Sequence, residues 1–130
     1  MHFTISDNAY HSYQPLGTSS RGDITLVLIE VSVKKLFNTW RATYSGKIFF
    51  DGYGGVEKID KLNRVTEWLN KAEEVWAPII DLRVDDPARI IFADGRHTFT
   101  ALKNLGYKRI DIVVPKIKAE ILSNALGALD

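Results

Sequence analysis

Apolar and polar residues alternate along this chain in blocks that predict strands and helices. Ile24–Val31 is a nearly unbroken run of β-branched residues and leucine, which predicts a strand that is buried on both faces. Ser32 follows as the predicted N-cap of a short helix. The apolar residues of that helix recur at helical spacing: Val33, Leu36, Phe37 and Trp40.

The middle of the chain carries the clearest helical pattern. Arg41–Phe50 predicts a hairpin, and a glycine-rich connection follows at residues 51–55. Apolar residues then recur at steps of three and four: Ile59, Leu62, Val65, Leu69, Ala72 and Trp76. The polar residues between them, Lys61 included, are expected to face water. Packing in the core or in an interface is favoured over base stacking for all three tryptophans: Trp40, Trp68 and Trp76.

The next stretch predicts two strands and a helix. Pro78 opens an alternating strand, whose inward residues are Ile80, Leu82 and Val84. After a turn, Arg89–Ala93 predicts a second and more apolar strand. Asp94 and Gly95 end that strand, and Arg96–Leu105 predicts a helix with its apolar side formed by Phe99, Leu102 and Leu105.

The end of the chain predicts one more strand and one more helix. Gly106 suits the left-handed conformation that often follows a helix end. Ile110–Val114 predicts the strand, and the helix follows Pro115 and ends at Gly127. We expect that helix to bury four apolar residues: Ile117, Ile121, Leu122 and Ala125.

These elements predict an α+β fold, with α/β as the alternative, in which helices are interspersed with a small mixed β-sheet. A length of 130 residues suits a single domain. We assign residues 23–130 to this domain. Residues 1–22 are rich in polar and turn-forming residues, and they predict an N-terminal arm or irregular edge segment that apolar residues such as Phe3 and Ile5 attach to the domain.

The composition excludes several kinds of chemistry. The chain has no cysteine, so disulfides, thiolate metal sites and thiol nucleophiles are ruled out. An enzyme would have to use carboxylates, hydroxyls, Lys, Arg or one of three histidines. His2 and His11 lie in the polar opening segment, which makes His97 the candidate for proton transfer.

The charge distribution narrows the classes of partner. A formal net charge of +1 argues against nucleic-acid binding driven by bulk charge, and it leaves room for a local basic pocket. No apolar run approaches the roughly 20 residues that a bilayer-spanning helix needs, and Met1–Ala9 carries no signal-peptide pattern. We therefore expect a cytoplasmic protein that does not insert into a membrane.

The predicted strand-to-helix junction is the strongest candidate site. A helix N-terminus favours anions, because its backbone N–H groups lack intrahelical partners and carry about half a positive charge. Gly95 would let a ligand approach the backbone, and Arg96 can hold a phosphate or carboxylate through two hydrogen bonds. His97 can donate a hydrogen bond or move a proton, and Thr98 adds a hydroxyl. Asp94 is a predicted N-cap that could instead bind a cation or orient His97.

Other interpretations of the same residues remain open. Asp94-Gly95 is ordinary turn chemistry between a strand and a helix, and Arg96 and His97 could simply be solvated. The pair Lys108-Arg109 is a surface patch that could extend an anionic footprint around Arg96.

The block from Ala77 to Pro115 resembles the ParB/sulfiredoxin-like superfamily. Its members have a "PI.V" strand, a strand that ends in "DGRHR" or "DGHHR", a helix with "AL..LG" and a strand that ends in "IPV.V". The matching residues here are Ala77-Pro78-Ile79-Ile80-Asp81-Leu82, Ile91-Phe92-Ala93-Asp94-Gly95-Arg96-His97, Ala101-Leu102-Lys103-Asn104-Leu105-Gly106 and Ile110-Asp111-Ile112-Val113-Val114. Within the superfamily, the DGRH form looks most like the plasmid fertility-inhibition factors of bacteria, which block DNA transfer through a type IV secretion apparatus.

This resemblance implies a function and roles for the site. It implies nucleotide or DNA-phosphate contacts at the junction, with ATP or another nucleotide and magnesium as cofactors, and ATPase and nuclease activity in some members. Arg96 would stabilise transition-state charge, His97 would act as general acid or base, and Asp94 would hold a divalent cation or orient His97. Thr98 departs from the pattern, because the family has a second basic residue there. This departure weakens the case for hydrolysis more than the case for binding.

Two other function classes compete with this one. The chain could be a catalytically inactive ParB-like protein-interaction module, of inhibitor or immunity type, whose partner is a conjugation coupling ATPase, an effector or another copy of itself. A small transcriptional or antitoxin regulator has less support, because no helix with basic side chains suited to reading DNA stands out. Sulfiredoxin chemistry is excluded, since it needs a cysteine where this chain has Arg96.

Overall fold

A computed structural model describes residues 1–7, 9, 25–43, 56–80 and 90–127, with the backbone alone described at 43 and 56–59. These ranges contain six strands and four helices. The strands are β1 (His2–Thr4), β2 (Leu26–Ser32), β3 (Glu74–Trp76), β4 (Ile79–Ile80), β5 (Phe92–Asp94) and β6 (Arg109–Pro115). The helices are α1 (Val33–Thr43), α2 (Val56–Leu69), α3 (Arg96–Asn104) and α4 (Lys116–Leu126).

Four of the strands form a mixed sheet in the order β2-β6-β4-β5. β2 runs antiparallel to β6 in a register from Leu26↔Pro115 to Ser32↔Arg109. β4 is parallel to β6 and antiparallel to β5. The prediction of an α+β fold with a small mixed sheet and interspersed helices is confirmed.

The two faces of this sheet are covered differently. On one face, Ile110, Ile112 and Val114 of β6 join a large apolar cluster to which all four helices contribute. On the other face, Val113 packs in a smaller cluster with Leu26, Ala77, Ile79 and Ala9. This alternation follows the two-residue period of a strand. β6 is therefore buried on both faces, which explains its apolar sequence.

Apolar clusters lie against both faces of β2, but most of its residues are only half-buried, so the prediction that Ile24–Val31 is buried on both faces is confirmed in part. In β2 only Leu26 and Val31 are buried, and Glu30 is exposed. Among the described strands, β2 pairs with β6 alone and forms an edge of the sheet. Each face of β2 is partly covered: Val27 and Ile29 lie half-buried against the large cluster, and Leu28 lies half-buried against the smaller one.

Helix α1 begins where the sequence predicted and ends later. The Lys35 N–H donates to Ser32 Oγ at 3.2 Å, so the predicted N-cap is confirmed. Three of the four predicted apolar residues are buried: Val33, Leu36 and Trp40, with Phe37 half-buried. The hairpin expected to start at Arg41 is wrong at its start, because residues 41–43 continue the helix. The rest of that hairpin and the glycine-rich connection lie outside the described residues.

Helix α2 ends at Leu69, so the predicted stripe that ran on to Ala72 and Trp76 is wrong. Residues 74–76 instead form β3, which pairs in parallel with β1. Val75 is buried and Trp76 is 62% exposed, which is the alternation of a strand. Pairing with the N-terminal strand therefore overrides the helical spacing. Trp40 is buried, which confirms its predicted packing in the core, whereas Trp68 is 51% exposed and the place of Trp68 and Trp76 in an interface stays a prediction.

Helix α3 matches the predicted helix closely, whereas β5 shares only Phe92 and Ala93 with the strand predicted at Arg89–Ala93. Ile79 and Ile80 form β4, whereas the predicted strand and turn residues at 81–89 lie outside the described ranges. The central residues of α3 are buried all round: Phe99, Thr100, Ala101 and Leu102. Gly106 has a φ of 94°, which confirms its predicted left-handed conformation. Leu105 is 36% exposed, so its predicted place on the apolar side is wrong.

Helix α4 packs through a face that contains only one of the four residues predicted to be buried, Leu122. Leu122 and Leu126 are buried, whereas Ile117 and Ile121 are 86% and 46% exposed. Ala125 is exposed as well. The helix carries two overlapping stripes at helical spacing, and the stripe with Leu122 and Leu126 is the one that contacts the sheet. Periodicity alone does not choose between two such stripes.

The first residues of the chain are more regular than the sequence predicted. His2–Thr4 is a strand rather than an irregular edge, and Phe3 and Ile5 pack against the apolar clusters. Ala9 is fully buried. In the described part of the chain, no helix has the length and apolar character needed to cross a membrane.

Candidate anion-binding site

The junction between β5 and α3 is held in place by three aromatic rings. Trp40 of α1 meets Phe92 of β5 edge-on, with ring centroids 5.0 Å apart, and meets Phe99 of α3 at 5.8 Å. Phe92 and Phe99 lie 5.3 Å apart. Because Phe99 is fully buried, these contacts attach the junction to the large apolar cluster. The position of the junction is therefore set by the core.

Gly95 occupies a position that only glycine suits. Its φ is 90°, in the left-handed region that side chains disfavour. A Cβ at this position would lie 2.8 Å from Cα of Pro78, which is closer than real Cβ contacts. The glycine is therefore explained by close packing on the residue before β4. The predicted approach of a ligand to this backbone stays a prediction.

Asp94 does not cap α3, so that prediction is wrong. The N-cap residue is Gly95, and no side chain caps the helix. The carboxylate of Asp94 instead accepts a hydrogen bond from the Gly95 N–H at 2.8 Å, through Oδ1. The left-handed conformation of Gly95 separates Asp94 from the first turn of α3, and the Asp94 side chain accepts from the amide of the next residue instead of from a first-turn amide. The N-terminus of α3 thus lacks the side-chain cap that helices commonly have.

The first turn of α3 presents its polar groups at this uncapped end. Phe99 N–H donates to the Gly95 carbonyl at 2.9 Å, which starts the helical hydrogen-bond series. The three preceding amides, of residues 96–98, have no carbonyl one turn back within the helix. Deeper in the helix, the Thr100 hydroxyl donates to the Arg96 carbonyl at 2.9 Å. The positive end of the helix dipole is therefore directed at the space in front of this turn.

That space is a pocket of about 320 Å³. Its lining contains all five predicted site residues, together with residues of β5 and α2: Lys61, Val65, Phe92, Ala93, Asp94, Gly95, Arg96, His97 and Thr98. His97 and Thr98 are half-buried, while Arg96 and Asp94 are exposed. A volume of this size lies near the lower end of the range for small-molecule sites, roughly 300–1,000 Å³.

Lys61 is the site residue that sequence reasoning missed. It was expected to face water on α2, and it is exposed, but α2 packs against α3 and brings Lys61 to the pocket. The pocket therefore has a cation on each of two walls, Lys61 from α2 and Arg96 from α3. No sequence signal marks this pairing, because 35 positions separate the two residues and the approach depends on how the helices pack.

The arrangement can bind an anion and hold a proton donor beside it. Arg96 can make two parallel hydrogen bonds to a phosphate or carboxylate, and Lys61 adds a point charge. His97 and Thr98 provide donors in the same turn. Among the described residues that line the pocket, Asp94 alone carries a carboxylate.

Asp94 also limits how a metal could be held. Among the described residues, no group of three or more His, Asp and Glu is arranged to hold a metal ion. Magnesium is commonly bound in proteins by one or two carboxylates together with phosphates of a substrate. Asp94 fits that mode, in which it would contact magnesium that arrives with a nucleotide.

The remaining predicted candidates lie elsewhere. Lys108 and Arg109 line a second pocket beyond the other end of α3, so they do not extend the lining around Arg96. His2 lies in β1, and His11 lies outside the described residues.

A comparison of the chain with models of protein families, with curated proteins and with solved structures found no match.

Proposed function

We propose that this chain binds a phosphate group, of a nucleotide or of DNA, in the pocket in front of α3. The observation that carries the proposal is the pocket itself, where Arg96, His97 and Thr98 of an uncapped helix N-terminus face Lys61 of α2. Phosphate suits this site because it accepts hydrogen bonds from backbone amides and from a guanidinium at once.

Lys61 bears on the departure at Thr98. This chain has Thr98 where ParB-like proteins have a second basic residue. Lys61 lines the same pocket from the opposite helix and supplies a second positive charge. Binding of a doubly charged phosphate is therefore supported by two cations, in spite of the threonine.

We infer further that the chain is a ParB/sulfiredoxin-like domain with a role like that of plasmid fertility-inhibition factors, which would act in the bacterial cytoplasm on a conjugative or type IV secretion apparatus. The residues that carry the resemblance contribute β4, β5, α3 and β6, which form three adjacent strands and the helix at the pocket. The role in conjugation rests on the DGRH motif alone.

If the site hydrolyses ATP, each of three site residues has a separate role in the reaction. Water would add to the γ-phosphorus as the bond to the bridging oxygen breaks, and the products would be ADP and phosphate. His97 would take the proton from that water, and Arg96 would stabilise the charge on the phosphoryl oxygens. Asp94 would contact the magnesium bound to the nucleotide or orient His97.

The test is to replace both Arg96 and His97 with alanine. Hydrogen bonds to charged groups contribute about 1.5–3 kcal/mol, so we expect affinity for ATP with magnesium, or for a short DNA, to fall roughly tenfold to a hundredfold. Titration calorimetry would give the affinity, and phosphate release would give the turnover. Arg41→Ala is the control, because this arginine is exposed at the end of α1 and outside both pockets.

A second pair of variants guards against misfolding of the double variant. Lys61→Ala removes the cation from the opposite wall without touching α3, whereas Arg64→Ala removes an exposed cation one turn further along α2. We expect Lys61→Ala to weaken binding and Arg64→Ala to leave it unchanged. Unchanged ligand affinity in a folded Arg96/His97 double variant would remove this pocket from contention.

A catalytically inactive protein-interaction module is the second candidate. It is favoured by large apolar side chains on the described surface: Trp68, Trp76, Ile117 and Ile121. Exposed apolar residues of this size often lie in interfaces. This candidate predicts tight binding of a purified conjugation coupling ATPase and no turnover of ATP or DNA with magnesium or manganese, so robust turnover would count against it.

A further inference from the structure

A second pocket lies beyond the C-terminal end of α3. It has a volume of about 490 Å³ and is formed by the start of α1, the end of α3 and the connection into β6. Its lining residues are Ser32, Val33, Lys34, Phe37, Lys103, Gly106, Tyr107, Lys108 and Arg109. We call it the basic pocket.

The charged residues that line the basic pocket all have one sign. Lys34 comes from α1, Lys103 from α3, and Lys108 and Arg109 from the chain that enters β6. No carboxylate belongs to its described lining. Four cations from three parts of the chain thus surround one concavity, although the protein as a whole has a net charge of only +1. Such clustering concentrates positive potential locally.

The lysine in the first turn of α1 goes against helix electrostatics. That turn contains Lys34 and Lys35 and no acidic residue. Cations at a helix N-terminus are unfavourable, because the dipole places positive charge there. The amides of this turn are occupied in part, since Val33 N–H donates to the Lys108 carbonyl at 3.0 Å and Lys35 N–H donates to Ser32 Oγ. The side chains, rather than the amides, are therefore the groups that an anion would meet.

The floor of the basic pocket is apolar and aromatic. Val33 is buried, and Phe37 and Tyr107 are half-buried. The ammonium of Lys103 lies 4.2 Å from the centroid of the Phe37 ring. This cation–π contact, at the negative end of the α3 dipole, gives Lys103 a structural role. Lys34 and Lys108 lie at the rim, where both side chains are exposed.

We propose that the basic pocket binds single-stranded nucleic acid, with phosphates against Lys34 and Lys108 and a base against the Tyr107 side of the floor. Sites of this kind combine a cationic rim with an aromatic surface on which a base can stack. An acidic peptide would use the rim and would have no need of the aromatic floor. The proposal concerns a different pocket from the one in front of α3 and does not depend on it.

The experiment measures fluorescence anisotropy of a short labelled oligothymidylate over a series of salt concentrations. We expect the affinity of the wild-type chain to decrease as the salt concentration rises. The plot of log affinity against log salt should become less steep by about 1.4 when two phosphate contacts are lost. Lys34→Glu with Lys108→Glu should cause this loss and lower affinity at least roughly tenfold at low salt. The matched control is Lys71→Glu with Lys116→Glu, which has the same net charge and alters exposed lysines outside both pockets.

Further variants separate the possible outcomes. Tyr107→Leu should weaken binding roughly tenfold with little change in the salt slope, because stacking carries no charge. Equal losses in the Lys34/Lys108 and Lys71/Lys116 variants would overturn the proposal. The proposal would also be overturned, in favour of an acidic peptide, by two results together. Polyglutamate would displace the oligothymidylate at an equal concentration of charge, and Tyr107→Leu would leave the oligothymidylate affinity unchanged.

Discussion

The two ends of α3 carry two pockets that differ in how they are built. In front of the helix, five consecutive residues from Asp94 to Thr98 form most of the lining, and both signs of charge are present. Beyond its other end, the basic pocket is assembled from separate elements and contains cations only. One pocket is a local motif completed by Lys61, and the other is a product of how the chain packs.

The helix N-termini at the two pockets differ in the same way. At α1, Ser32 caps the helix and the Lys108 carbonyl accepts from Val33 N–H. At α3, Gly95 stands at the N-cap position and no side chain caps the helix. The capped end contributes side chains to its pocket, whereas the uncapped end contributes the first-turn amides and the helix dipole as well.

The largest effect is expected in the core that both pockets share. Phe99→Ala would remove a fully buried ring that contacts Trp40 and Phe92, at a cost of about 3–5 kcal/mol in the free energy of unfolding. Because the central turn of α3 is buried all round, ligand binding at both ends should weaken together as the folded fraction falls. Denaturant titration would measure the cost. Loss at one end only, in a stable variant, would show that the two pockets do not depend on the same core.

The glycines that flank α3 offer a sharper contrast. Both have positive φ, 90° at Gly95 and 94° at Gly106, so alanine costs roughly 1–2 kcal/mol at either position from the backbone conformation alone. A Cβ at Gly95 would in addition lie 2.8 Å from Pro78 Cα, whereas nothing lies within 4 Å of one at Gly106. Gly95→Ala should therefore be the more destabilising of the two in thermal denaturation. Equal losses of stability would mean that the junction shifts at no cost.

The sequence predicted most of the region around α3 and little of what packs against it. The strand, the Asp94-Gly95 break, the helix and Gly106 follow from local turn chemistry and apolar spacing, which residues 90–106 display within a short stretch. The five candidate residues share a pocket because they are consecutive. The capping role of Asp94 was mistaken, since local patterns do not show that Gly95 is left-handed.

What could not be predicted depends on contacts between distant residues. Lys61 reaches the pocket only because α2 packs on α3, and the basic pocket exists only because α1 begins beside the residues after Gly106. The spacing of Trp76 from the apolar residues before it predicts a helix, but Trp76 lies in β3, which pairs with β1 at the start of the chain. In α4, two apolar stripes have helical spacing, and contact with the sheet decides which of them is buried.

A smaller effect is expected at the cap of α1. Ser32→Ala removes the hydroxyl that accepts from Lys35 N–H, which should cost about 1 kcal/mol, as N-cap substitutions commonly do. Denaturant titration would show the loss, and phosphate binding in front of α3 should be unchanged because α3 uses no such cap. Gly95→Ser is not an equivalent change, because it meets Pro78. An unchanged free energy of unfolding in Ser32→Ala would mean that the Ser32 cap does not stabilise α1, and that the capped and uncapped helix ends do not differ in this respect.

The smallest effect concerns two carboxylates beside the basic pocket. Asp111 of β6 lies opposite Glu30 of β2, two residues along from the pair formed by Arg109 and Ser32. Burial raises the pKa of the Asp111 carboxyl above its usual range; the charge of Glu30 raises it further, and His2 acts in the lowering direction. Like charges directly opposite each other in a sheet are destabilising.

The raised pKa of Asp111 fixes the sign of a pH effect. The folded state takes up this proton more readily than the unfolded state, whose carboxyl titrates near about 3.9. The stabilisation is therefore complete below that pH and is lost as the pH rises through the folded-state pKa, so charged Asp111 is a net cost at neutral pH. Asp111→Asn should raise the Tm slightly at pH 7 and leave it unchanged below about pH 3.9, whereas Asp60→Asn, at an exposed carboxyl of α2, serves as the control. Asp111→Asn also removes a negative charge near the basic pocket and none near Arg96. Oligothymidylate affinity should therefore rise while ATP affinity stays constant. Equal changes in both affinities would mean that this charge acts equally on the pockets at the two ends of α3.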